Sequence, residues 1–78
     1  MFGILLVGEN HIVISCVSEE FAAKTANKLE KYMNVQSGFS LDYSNHKKDE
    51  VILIANHMIS WPEMSELRKQ ITQLLKNI

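Results

Sequence analysis

Cys16 is the only cysteine in the chain, and together with His11, His46 and His57 it is where nucleophilic or metal chemistry would have to start. A cysteine nucleophile needs a nearby base or a positive field to form its thiolate. His11 precedes Cys16 by five residues, and positions five apart on a strand face opposite sides. His46 and His57 reach Cys16 only through the tertiary fold, so Cys16 reads as a small, buried, apolar side chain rather than a nucleophile. Glu9, Asp49 and Glu50 supply oxygen donors close to the histidines in sequence. The spacing nevertheless lacks the close Cys/His pairs of a structural zinc site. The histidines read as turn and surface residues, and no catalytic residue, metal or cofactor is expected.

Phosphate chemistry is poorly provided for. Gly3 and Gly8 form neither the dinucleotide fingerprint nor a phosphate loop ending in Gly-Lys-Ser/Thr, and Gly8 reads as a turn residue. Lys47 and Lys48 make a small basic tip, but Asp49 and Glu50 follow at once. Lys24, Lys28 and Lys31 form a second patch on the first helix, shared with Glu19, Glu20 and Glu30. A formal net charge of −1, with Arg68 the single arginine, disfavours wholesale wrapping of a phosphate backbone. These five lysines are the candidate nucleic-acid contacts of a reading that is not favoured. Trp61, beside Pro62 at a helix entrance, has two readings: an interface anchor, or a core or capping residue of a small fold.

The elements that must position these side chains fit in one domain, residues 1–78. A domain this small buries only about 60–65% of the surface of its unfolded chain. Its single core supplies about 3–5 kcal/mol, so burial in a dimer or complex would add useful stability. The lone Cys16 forms no internal disulfide. There is no apolar run near the ~18 residues of a membrane span, and no cationic start leading into a cleavable apolar stretch. The expectation is a reducing, cytoplasmic setting without a membrane.

Residues 2–7 and 12–17 are β-rich runs separated by the turn-forming Gly8, Glu9, Asn10 and His11, too short a link for a parallel crossover; they predict an antiparallel hairpin. Ser18 stands where an N-cap belongs, with Glu19 and Glu20 well placed against the helix dipole. Phe21, Ala22, Ala26, Leu29 and Met33 form the apolar stripe of this helix. Residues 34–38 end it. Phe39, Leu41 and Tyr43 alternate with Ser40, Asp42 and Ser44, which predicts an edge strand with one solvated face. A loop over 45–49 leads to the last strand, 51–55. Ser60 and Glu63 then have capping-box spacing, Ile59 and Met64 the spacing of a hydrophobic staple. Met64, Leu67, Ile71, Leu74 and Ile78 recur at intervals of three and four along the second helix.

The order ββαββα predicts an α+β fold: a four-stranded, mainly antiparallel sheet with both helices on one face. Three of its strands are apolar on both faces, as expected only where both faces are covered. Two helices cover one face. Ile4, Leu6, Ile12, Ile14, Leu53 and Ala55 are assigned to the helices, which leaves Leu5, Val7, Val13, Ile52 and Ile54 on the opposite side; continuous apolar runs do not fix register, so the inverse assignment stays open. Those five residues and Trp61 are the candidate protein interface. The leading expectation is a non-enzymatic adaptor, regulator or inhibitor that binds another protein or a second copy of itself. A small nucleic-acid-associated regulator is the alternative, and a Cys16 or histidine enzyme the third class.

Overall fold

A computed structural model describes residues 2–33, 38–42 and 49–76, apart from the side chain of Met33. Strands β1 (Phe2–Val7) and β2 (His11–Cys16), helix α1 (Glu19–Met33), strands β3 (Phe39–Asp42) and β4 (Glu50–Ala55) and helix α2 (Trp61–Leu75) follow in the expected order. The strands form one antiparallel sheet arranged β1-β2-β4-β3. Exchanging the two ββα halves leaves this order unchanged, with the β2–β4 seam at the centre. The fold is α+β.

The first hairpin turns at Gly8, whose φ of 66° suits a residue without a Cβ. Its strands pair Leu5 with Val13 and Val7 with His11. β2 begins and ends one residue earlier than the apolar run over 12–17 suggests. The reason lies in the next element: the Phe21 amide donates to Ser18 Oγ at 3.1 Å, capping α1, so the chain leaves the sheet before the cap. Val17 is left outside, 64% exposed. The Cys16 amide makes the last bond there, to the Asp49 carbonyl at 2.8 Å. β3 runs to Asp42; the expected Tyr43 and Ser44, like Lys47, Lys48 and His46, lie outside the described residues. β4 starts at Glu50, which pairs with Ser15.

One face of the sheet carries the core. Ile12, Ile14, Cys16, Val51, Leu53 and Ala55 are buried against Ala22 and Leu29 of α1 and against Met64, Leu67, Ile71 and Leu75 of α2. Ile4 and Leu6 pack at its margin. Of the stripe expected in α1, Ala22 and Leu29 are buried and Phe21 and Ala26 half-buried, while Thr25, a polar residue absent from it, is fully buried. The Cys16 thiol donates to Thr25 Oγ1 at 3.9 Å, so the hydroxyl is not stranded in the core. The last turn of α2 departs from the expected stripe: four residues beyond Ile71 is Leu75, which is buried, while Leu74 is half-buried in the groove facing α1. Ile78 lies outside the described residues.

The start of α2 is fastened twice. Ser60 Oγ accepts the Glu63 amide at 3.3 Å, and Ile59 and Met64 are both buried. Only one arm of the capping box forms, because the Glu63 carboxylate binds His57 Nε2 at 2.7 Å. The Ile59 amide donates to the Glu9 carbonyl at 2.8 Å and ties the helix entrance to the turn of the first hairpin.

Candidate functional site

Strand alternation fixes what lies on the sheet face away from the helices. The register lines up Leu5, Val13, Ile52 and Asp42 in one row across all four strands, and Val7, His11, Ile54 and Ser40 in the next. Gly3, Ser15 and Glu50 form a third row. Leu5, Val7, Val13, Ile52 and Ile54 therefore cluster as one apolar patch that reaches the β1 edge and is bordered by Asp42 and Ser40 toward β3 and by Ser15 and Glu50 along the strands. Leu5 is 61% and Val7 47% exposed, whereas Val13, Ile52 and Ile54 are half-buried against one another. Three six-residue strands and one of four, about 4.8 Å apart and rising about 3.3 Å per residue, present roughly 350 Å² of face, the apolar patch and its polar neighbours together. An apolar centre with a polar rim is the anatomy of an association surface. The rim was not anticipated, because it depends on pairing register, which continuous apolar runs leave open.

The polar candidates are dispersed. His11 lies on the open face opposite Val7 and Ile54, and Cys16 on the buried face, so the two point apart. The Asn10 side-chain nitrogen donates to the Ala55 carbonyl at 2.9 Å. Its oxygen, 2.8 Å from His11 Nδ1, is left to accept, which puts the imidazole proton on Nδ1. His57 bonds Asn56 and Glu63 and meets the Phe39 ring edge-on at 5.6 Å. Burial pushes the Cys16 thiol above its ordinary range, as does the nearby Asp49 charge, against the bond to Thr25 and the amino terminus, which lower it. A raised thiol is the opposite of an activated nucleophile. Among the described residues, no three His, Cys, Asp or Glu side chains converge to hold a metal ion. No helix among them is long and apolar enough to cross a membrane.

Lys24, Lys28 and Lys31 lie along one side of α1. Lys24 pairs with Glu20 at 3.4 Å, and both side chains are mostly exposed. Lys28 lines an open groove between the helices with Tyr32, Lys69, Gln70 and Gln73, where the Tyr32 hydroxyl donates to Gln70 Oε1. Trp61 is 82% exposed, which overturns the reading of it as a core residue. Its place in the first turn of α2, ahead of a stripe turned toward the sheet, sets the ring outside the core. Arg68, seven residues further on, comes to the same side of the helix and to the same pocket as Trp61. The spacing was visible in the sequence, but its significance required knowing that this side of α2 borders β1.

No protein-family model, curated protein or solved structure matches the chain.

Proposed function

We propose that this protein is a non-enzymatic binding module that acts by docking the open face of its sheet onto a second copy of itself or onto another protein, as an adaptor, regulator or inhibitor. The contiguous patch of Leu5, Val7, Val13, Ile52 and Ile54, opposite the face carrying both helices, supports the reading. Apolar patches of several hundred Å² on small soluble domains mark interaction sites. The patch is smaller than the about 800 Å² that each partner of a standard stable interface buries, so the association is weak and concentration-dependent. A cytoplasmic location suits the reduced Cys16.

Sedimentation over a micromolar concentration series tests it. Wild-type protein should self-associate or co-migrate with its partner, and Val13→Glu or Ile52→Glu should give a folded but dissociated chain, because an unpaired carboxylate is costly to desolvate on docking. A wild-type monomer that binds no apolar dye defeats the proposal. So does a folded Glu variant with unchanged association.

The helix layer favours a second reading. Lys28 and Lys69 line one groove, with Lys24 and Lys31 on the same side of α1 as Lys28, a placement suited to phosphate contacts. Under this reading the protein is a nucleic-acid-associated regulator whose binding weakens steeply as salt rises, whereas apolar docking survives high salt.

A further inference from the structure

β1 forms one edge of the sheet, hydrogen-bonded to β2 on one side only. Edge strands are usually blunted by charge, proline or a bulge, and β1 contains none of these: its six residues are Phe-Gly-Ile-Leu-Leu-Val, in unbroken register with β2. The opposite edge, β3, is shorter and carries Asp42. Among the described residues nothing pairs with the outer side of β1, which leaves its backbone groups for an added strand.

A pocket of about 270 Å³ lies beside this edge, lined by Leu5 and Leu6 of β1, Ile59 before α2, and Trp61, Met64 and Arg68 of α2. Its size is enough for one or two side chains. Met64 and Ile59 form a buried floor, while Trp61 stands exposed at the side. Arg68, the chain's only arginine, is exposed and makes no ion pair among the described residues. An unpaired strand edge, an apolar socket and a free guanidinium converge here, each recognising a different part of the same kind of ligand.

We propose that the outer edge of β1 and the groove between it and α2 bind an extended peptide segment as a fifth strand, seating an apolar side chain against Leu6, Ile59, Met64 and Trp61 and a carboxylate on Arg68. Backbone pairing supplies affinity without regard to sequence; the socket and Arg68 supply the preference. Side chains alternate across a strand, so residues flanking the apolar anchor fall on the open-face side, next to Leu5 and Val7. This site is distinct from docking on the open face, although Leu5 borders both.

Selection of short random peptides displayed on phage, against the folded chain, supplies the probe. The enriched sequences should combine an apolar residue with an acidic one. Synthetic copies should shift the emission of Trp61, the only tryptophan. Arg68→Gln, at an exposed position, should weaken binding up to about fivefold, as loss of an exposed ion pair would, and Trp61→Ala should weaken it as well. N-methylation of alternate peptide amides should abolish it, and Ile52→Glu on the open face should leave it unchanged. Absence of enrichment on folded protein overturns the proposal, as does binding indifferent to both Arg68→Gln and N-methylation. Peptides lost only with Ile52→Glu belong to the open face and also overturn it. If hydrogen exchange shows the outer amides of β1 already protected in a dimer, a second copy fills the edge and the peptide assignment fails.

Discussion

Cys16 and His11 show how little separates a reactive pair from two inert residues. Both lie on β2, and strand alternation alone sends one into the core and the other to the open face. Because burial raises the folded thiol's pKa above its value in the unfolded chain, about 8.5, the neutral form is favoured in the native state. Its contribution to stability is complete below the unfolded pKa and declines as pH rises through the folded value. Disulfide-reagent titration at pH 8 should therefore find Cys16 slow in native protein and fast in urea, and Cys16→Ala should lose less stability than wild type between neutral and strongly alkaline pH. On α2 the decisive residues are Leu67 and Ile71, 7% and 0% exposed. Truncating either to Ala should cost about 2–5 kcal/mol in denaturant melts. Lys69→Ala, on the exposed side of the same helix, should cost far less; three equivalent melts would contradict the buried face of α2 described above.

At the scale of elements, a glycine at the entrance of a strand and one inside a strand behave differently. Gly38 enters β3 with φ at 91°, and a Cβ there would stand 2.8 Å from Asn56 Oδ1. The Asn56 side chain is exposed and can swing aside at the loss of its 3.1 Å contact with His57 Nδ1, and to that loss Gly38→Ala adds the left-handed backbone, about 1–2 kcal/mol. Gly3→Ala, in the open space of β1, should be neutral or stabilise by about 0.5–1 kcal/mol. Equal melting shifts for the two would remove the conformational argument. The elements themselves were legible because periodicity and caps agree: Ser18 and Ser60 both cap as their positions indicate. The sorting of apolar residues into two sets was legible too, from alternation within each strand, but which set meets the helices was decided only by the fold. What was hidden depended on long-range register or on helix rotation: the polar rim, the burial of Thr25, Leu75 in place of Leu74, and the approach of Trp61 and Arg68 to β1. Local spacing cannot specify which strand a helix will overlie.

For the whole molecule, one fact organises the rest: the sheet's middle seam joins residues far apart in sequence, with Val13 against Ile52 and Ile14 against Val51. Each half of the chain supplies one inner strand, one edge strand and one helix, and the core draws on both. Neither ββα half can cover its inner strand or bury its helix alone, and closing so long a loop is slow compared with forming either hairpin. Unfolding should therefore be two-state, with the backbone amides of β2 and β4 exchanging only through global opening, a pattern that hydrogen exchange can read directly. The same seam also makes the chain divisible. Separated between α1 and β3, the two pieces should each be disordered alone and fold on mixing, the β2–β4 pairing then serving as the contact between two molecules, so that this small domain would work as a split reporter whose signal depends on bringing its halves together.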